Sequence, residues 1–361
     1  MKKVLLTIAS MSSGGAEHQL SILANYLVQK GYDVCIKTFV DIPDHYILDE
    51  KIKRKRIAPN RHKVIKILGL LKSILLTKYD VVIGFGARES ALVGIPLLFR
   101  PRIIFIAGER CALMKNEMNW YHKVNYNFLF KRANYIVPNS YTQRDDIIKR
   151  DASYAKKTVV ITNFTDCGKY VVKRLSKHDG IKIGVLGRYS EQKNCLRFAK
   201  AIQLLSTRTP ISFHIDWYGN IKDKTNTIYS QFKNLIEELN IGNFIELHDH
   251  VKDVSEVIPL FDVMCLPSLT EGFSNSISEY ICCGKPVICS DVADNKIMVK
   301  NGVNGFLFNP YDEKDICQSF LNFFALSSES MEKMGKESRA IAEGLFDLEG
   351  FGSSYINLIE S

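Results

Sequence analysis

Three stretches of the 361-residue chain hold residue types whose spacing suits a phosphorylated ligand. In Ser268-Leu269-Thr270-Glu271-Gly272-Phe273-Ser274-Asn275-Ser276-Ile277-Ser278-Glu279, Gly272 permits close backbone approach. The helix that follows offers free N–H groups to an anion. Glu271, on the loop, can accept hydrogen bonds from sugar hydroxyls, and Glu279, eight residues later, from a ribose diol. A pair of surface glutamates flanking a capped helix fits the same spacing. In Gly187-Arg188-Tyr189-Ser190-Glu191-Gln192-Lys193-Asn194, Arg188 can fork onto two phosphate oxygens and Lys193 can supply a point charge. Two solvated cations on a connecting loop are the plainer reading. Ser12-Ser13-Gly14-Gly15-Ala16-Glu17 is not a GxGxxG fingerprint, so no nicotinamide cofactor is indicated. Its glycines form either a phosphate-facing turn or merely a tight one.

Each stretch falls where an apolar run meets a helical pattern. Runs at Val4–Ala9, Val34–Val40, Val81–Phe85, Ile103–Ala107 and Tyr135–Pro138 alternate with helical spacing such as Ala16, Leu20, Leu23 and Leu27. Ser140 is expected to cap a helix over Tyr141–Lys149. Residues 161–176 lack periodicity and read as an interdomain linker. Alternation then resumes at Ile181–Leu186, Phe213–Tyr218, Phe244–Leu247, Val263–Pro267, Val287–Ser290 and Phe306–Phe308, with helices at Cys195–Leu205, Thr227–Leu239 and Ile277–Cys283. This is the pattern of α/β domains built on parallel sheets. The expected division is 1–170, 171–340 and a C-terminal helical segment, 341–361.

Length and composition agree. A chain of 361 residues exceeds what a single core ordinarily supports. No apolar run suffices to span a bilayer, and the short run from Val4 reads as a buried strand, not a cleaved leader. Nine cysteines without paired spacing read as reduced core residues of a cytoplasmic protein. Residues 1–170 hold 28 Lys and Arg against 14 Asp and Glu, a net +14, whereas residues 171–361 hold 20 against 25, a net −5. An anionic partner is therefore expected at the first half alone. Its most basic stretch, Lys51–Lys66, contains Lys53, Arg54, Lys55 and Arg56 and leads into an apolar helical face of Val64, Ile67, Leu68, Leu71 and Leu75. That pattern suits an anionic membrane surface or simply a helix packed on its sheet. Nucleic acid is disfavoured, since no aromatic residues interleave with the basic run.

Taken together, Gly14-Gly15-Ala16-Glu17, Gly187-Arg188 with Lys193-Asn194, Pro267-Ser268 leading into Glu271-Gly272-Phe273, Glu279, Cys283-Gly284-Lys285-Pro286-Val287-Ile288 and Asn301-Gly302-Val303-Asn304-Gly305 resemble the GT4 family of retaining glycosyltransferases. The resemblance implies the GT-B fold, two Rossmann-like domains facing across a cleft, with the C-terminal helical segment 341–361 crossing back to the first domain. It implies that Arg188 and Lys193 hold a donor diphosphate, and that Gly187 belongs to their loop. Glu271 and the backbone of Gly272, Phe273, Ser274 and Asn275 would hold the donor sugar, Glu279 the ribose, and Gly15 would approach the phosphates. The chain departs from the family pattern at Ser274, where proline or glycine is usual, and at Asp249, where glycine is usual. No acceptor-side histidine is evident, and Gly108-Glu109-Arg110 occupies that region, making Glu109 and Arg110 the acceptor candidates.

The expectation is a retaining glycosyltransferase with Arg188, Lys193 and Glu271 at its catalytic centre. A UDP-sugar is the expected donor and a lipid-linked saccharide of polysaccharide or glycan assembly the expected acceptor. No cofactor and no metal are expected, because no DxD pattern sits at a strand end. The enzyme would lie in the cytoplasm, peripheral on the inner face of the membrane through its basic first domain. A nucleotide-sugar epimerase of the same fold, or a non-catalytic scaffold of a polysaccharide-synthesis complex, would share the binding residues and differ in product.

Overall fold

The computed structural model describes the chain except at residues 13, 41, 58–62, 111–118, 174–178 and 222–226, and except for the side chains of 63, 64, 66 and 67. Among the described residues there are two sheets of six strands, each formed wholly of parallel pairs. The first contains β1 (Lys3–Ile8), β2 (Asp33–Thr38), β3 (Lys53–Arg56), β4 (Val81–Gly84), β5 (Ile104–Glu109) and β6 (Tyr135–Pro138) in the order β3-β2-β1-β4-β5-β6. The second contains β7 (Ile181–Leu186), β8 (Phe213–Gly219), β9 (Ile245–Asp249), β10 (Val263–Leu266), β11 (Val287–Ser290) and β12 (Gly305–Phe308) in the order β12-β11-β10-β7-β8-β9. The two orders are the same doubly wound topology. In each, the direction of strand addition reverses between the first and fourth strands, β1 beside β4 and β7 beside β10.

The chain forms two compact units, residues 1–164 with 348–361, and residues 165–347. The division thus falls a few residues from the expected linker centre, within a segment whose described residues hold only a short 3-10 turn at Cys167–Lys169. The last helix, Leu348–Glu360, belongs to the first unit. There Arg110 bonds the Tyr355 hydroxyl, Tyr26 donates to Glu349 at 2.8 Å, and Lys2 reaches the Ile359 carbonyl at 2.7 Å.

Strands buried on both faces need continuous apolar runs, and VVIG of β4 and VMCL of β10 are fully buried. β3 is the exception. Its sequence KRKR carries no apolar residue, so it cannot be recognised by hydrophobicity, and it occupies the sheet edge, where charge discourages pairing with other chains. The most basic stretch thus begins as a strand, and Lys53, Arg54 and Arg56 are engaged. Lys53 pairs with Asp33 at 2.7 Å, Arg54 forks onto Asp44 at 2.9 and 2.6 Å, and Arg56 donates to the Ile42 carbonyl at 3.2 Å. The helix that follows, Lys63–Leu76, buries Leu70 and Ile74 and leaves Ile65, Leu68, Leu75 and Leu76 exposed. Of the expected apolar face, Leu68 and Leu75 are exposed and Leu71 is half-buried, while the side chains of Val64 and Ile67 lie outside the described ones. Helix Ala87–Leu97, absent from the sequence reading, begins with Ala-Arg-Glu-Ser and is buried nearly all round, so it shows no amphipathic period.

In the second unit the core gathers Trp217, Phe198, Phe232, Phe320 and Phe213 on one side of the sheet. Gly305 opens β12 where a Cβ would lie 1.8 Å from the Val287 carbonyl oxygen, so only glycine permits the β11–β12 approach. Gly305→Ala should cost about 1–3 kcal/mol through overpacking, read as a lower denaturation midpoint with an unchanged m-value. An unchanged midpoint would show that the strand edge yields freely.

Candidate functional site

In an open α/β sheet the loops after the two strands at the switch point leave side by side, and ligands bind between them. In the second unit these are the loop after β7, which holds Gly187-Arg188 and Lys193-Asn194, and the loop after β10, which holds Pro267 to Ser274. The two loops are tied by backbone and side chain. Leu269 N–H donates to the Gln192 carbonyl at 2.8 Å, and Gln192 Nε2 donates to the Thr270 carbonyl at 3.0 Å. Asn194 adopts a left-handed conformation at φ 60 and donates to the Pro310 carbonyl at 2.8 Å, which turns the chain into helix Cys195–Arg208.

The tie brings Lys193 and Glu271 together. Lys193 Nζ lies 2.5 Å from Glu271 Oε1, and both side chains are mostly buried, at 13% and 11% exposure. Arg188 is exposed and has no partner among the described residues. Two hydroxyls of these loops, Ser190 Oγ and Ser268 Oγ, are buried without a hydrogen-bond partner. Cationic groups, one of them unpaired among the described residues, thus stand on the same pair of loops as these two buried hydroxyls.

Helix Asn275–Cys282 starts directly after the second loop. Ser274 caps it by accepting from Ile277 N–H at 3.4 Å, and its hydroxyl is thereby used. Phe273 is buried and meets Phe346 edge to face at 6.3 Å, so its ring serves packing and only its backbone is left for a ligand. Gly187 is held from both sides, with its N–H on the Tyr218 carbonyl at 3.0 Å and its carbonyl accepting from Trp217 Nε1 at 2.8 Å. Glu279 lies one turn inside the helix, half-buried, with no hydrogen-bond partner for its carboxylate among the described residues. Burial first, and then the nearby Asp253 charge, push its carboxyl up to about 7.

The other candidates lie in the first unit. Gly15 is exposed at the start of helix Gly15–Gln29, where Gly14 supplies no side-chain cap. Glu109 ends β5 and is buried at 1% exposure, 3.8 Å from Nε2 of the equally buried His122. Desolvation, with Arg150 nearby, pulls His122 down to about 4, so its ring is neutral. Arg110 is taken up structurally, on Asn163 Oδ1 at 3.2 Å, on the Tyr355 hydroxyl and over the Phe85 ring at 4.1 Å. Both candidates are thus packed against neighbours of the first unit.

The sequence reading missed Gln192 as the link between the loops, and Asp253 as the charge facing Glu279. Gln192 lies inside a stretch already singled out. Asp253 carries no local signal, since it is brought near by a separate element.

Residues 180–325 match the family model described as glycosyl transferases group 1. A Campylobacter jejuni N-acetylgalactosamine-N,N'-diacetylbacillosaminyl-diphospho-undecaprenol 4-alpha-N-acetylgalactosaminyltransferase is 25% identical over 319 residues, covering 81% of each chain. A second protein of that organism, a GalNAc-alpha-(1->4)-GalNAc-alpha-(1->3)-diNAcBac-PP-undecaprenol alpha-1,4-N-acetyl-D-galactosaminyltransferase, is 23% identical and covers 87% of this chain and 86% of its own. Among solved structures, Anabaena HepE in complex with UDP and glucose superposes with a TM-score of 0.84 at 18% identity over all of both chains.

The Glu279 shift has a sign that can be checked. Its folded pKa lies above the unfolded value of 4.5, so between about 4.5 and 7 the folded state binds more protons and stability falls as pH rises. Glu279→Gln should remove this component, flattening the melting temperature between pH 5 and 7 relative to the parent. Parallel curves for the two proteins would refute the shift.

Proposed function

We propose that this glycosyltransferase of the GT-B fold transfers a sugar from a UDP-sugar to a lipid-linked saccharide with retention of anomeric configuration. The observation that carries the reading is the pair of loops at the β7–β10 switch point, where unpaired Arg188 and the Lys193–Glu271 couple meet a helix N-terminus. In this reading the diphosphate lies against Arg188, Lys193 and the N–H groups at Gly272–Asn275. Lys193 then exchanges its carboxylate partner for phosphate oxygens, and Glu271 is released to accept from donor-sugar hydroxyls. Ionised Glu279 accepts from the ribose diol. Charge that develops on the departing diphosphate is met by Arg188 and Lys193, and no divalent metal takes part. The saccharide-diphospho-undecaprenol acceptors named for the Campylobacter relatives support a lipid-linked acceptor here, and UDP in the HepE structure supports the nucleotide.

The test is incubation of the purified chain with UDP-sugars and membrane extract in chelating buffer. A lipid-linked product is expected, with kcat lowered about a hundredfold or more in Arg188→Ala, the magnitude of losing one well-placed transition-state donor. Release of a free epimer, no product at all, or a fully active Arg188→Ala enzyme would overturn the reading.

Membrane attachment is proposed through the first unit. Among the described residues no helix is long and apolar enough to cross a bilayer. Helix Lys63–Leu76 instead presents Ile65, Leu68, Leu75 and Leu76 outward, with the Lys72 side chain also exposed, and Leu98 and Phe99 are exposed after the neighbouring helix. Apolar side chains that enter the interface beside basic ones suit an anionic surface, at about 1 kcal/mol per cation near it. Leu68→Ser with Leu76→Ser should weaken sedimentation with anionic liposomes more than Lys53→Ser with Arg54→Ser, since those two cations already have acidic partners. The opposite ranking, or binding indifferent to anionic lipid and to salt, would refute the assignment.

A further inference from the structure

We propose that the outer face of β8 and β9 is a binding site for a divalent transition-metal ion of the zinc class, with His214, Asp216 and Glu246 as ligands and His248 orienting Asp216. This inference does not depend on the donor-site reading.

The arrangement follows from strand geometry. Phe213, Ile215 and Trp217 of β8 enter the core, so His214, Asp216 and Tyr218 point to the opposite face. Parallel register sets Asp216 beside Glu246 and Tyr218 beside His248. Both faces of a parallel sheet are ordinarily covered and apolar. Here, at the β9 edge, one face instead carries two imidazoles and two carboxylates, half-buried at His214, Asp216 and His248 and more open at Glu246.

The atoms are spaced for a cation. His214 Nε2 lies 3.6 Å from Asp216 Oδ1 and 3.8 Å from Glu246 Oε2. One ligand atom from each of the three residues falls within 4.8 Å of the others. Zinc bonds of about 2.0–2.2 Å to nitrogen and oxygen in a tetrahedron place ligand atoms about 3.4 Å apart, so the two His214–carboxylate spans close by a few tenths of an ångström, and the Asp216–Glu246 span, held within 4.8 Å, closes by rotation of the exposed Glu246 side chain. Two carboxylates would neutralise the charge of a divalent ion, and a fourth position stays open to water.

The second layer is also present. His214 Nδ1 faces the Asn243 carbonyl at 3.4 Å, which favours its proton there and leaves the Nε2 lone pair for the ion. His248 Nε2 lies 2.6 Å from Asp216 Oδ1, and its ring stacks on Tyr218 at 4.6 Å, which fixes its plane. The His248 carbonyl in turn accepts from the Tyr189 hydroxyl at 2.9 Å, and Tyr189 follows Arg188. An ion here would therefore clamp the edge strand that supports the Arg188 loop. The residues come from two strands at i, i+2 spacing, so no Cys/His zinc pattern appears in the sequence.

The test uses the full chain, stripped with EDTA and titrated with zinc chloride against a chromophoric chelator, and with cobalt(II) for its absorption spectrum. One equivalent should bind and raise the melting temperature. His248→Ala should weaken binding by about 10–100-fold, as expected for loss of an orienting partner, and His214→Ala with Asp216→Asn should weaken it further. The cobalt spectrum should lack thiolate charge-transfer bands, which separates this site from the cysteines. If the double variant fails to fold, Glu246→Gln, at the open strand edge, should still show the loss. Equal binding by parent and variants, thiolate bands, or no binding would each overturn the proposal.

Discussion

The loops after β7 and β10 leave the second sheet as neighbours because strand addition reverses between those two strands. Everything at the candidate site hangs on this adjacency. A strand added always on one side would be covered by the next crossover, and the loop after it would be buried under a helix. At the reversal the crossovers go to opposite faces, and a crevice stays open at the carboxyl ends. The Leu269–Gln192 and Gln192–Thr270 bonds then stitch the crevice walls, so two loops from distant sequence act as one surface.

Once stitched, the surface holds charge at low exposure. Lys193 and Glu271 would each be costly to bury alone, and together they satisfy one another at 2.5 Å. The pair is therefore both a solution to burial and a store of polar groups that a ligand of matching charge can divide between them. Arg188 needs no such arrangement because it stays in water. The difference separates a residue that must be preorganised from one that can reach.

Legibility in the sequence followed burial. Ile181–Leu186, Tyr135–Pro138 and Val287–Ser290 are central or doubly covered strands, whose apolar runs mark their own ends. β3 is all charge, and helix Ala87–Leu97 is buried nearly all round, so neither shows a period. Parts of the motif set prove structural. Gly284 takes φ 64, Lys285 is buried with its ammonium on the Pro259 carbonyl at 3.1 Å, and Asn304 bonds the Met298 carbonyl at 3.0 Å. The loop residues Arg188, Lys193 and Glu271 were visible because glycine and charge coincide after apolar runs. The capture of Arg110 by Tyr355 was not, because it depends on a helix more than two hundred residues away, and the burial of Glu109 beside His122 was not, because it depends on tertiary packing.

Glu279 shows where folding and ligand binding pull apart. A carboxyl on a core-packed helix, near Asp253 and without a hydrogen-bond partner among the described residues, is held up to about 7, so near neutrality its charged form opposes the fold. Glutamine would keep the shape of the side chain and lose the liability. A glutamate here makes sense if something supplies the missing donors, and hydroxyl groups are the neutral donors that leave an acceptor carboxylate intact. Such a ligand would draw the proton off as it binds, so its affinity and the protonation of Glu279 are linked. A nucleotide bound in the proposed way would supply those donors from its ribose, which ties the choice of glutamate over glutamine at this position to the proposed ligand.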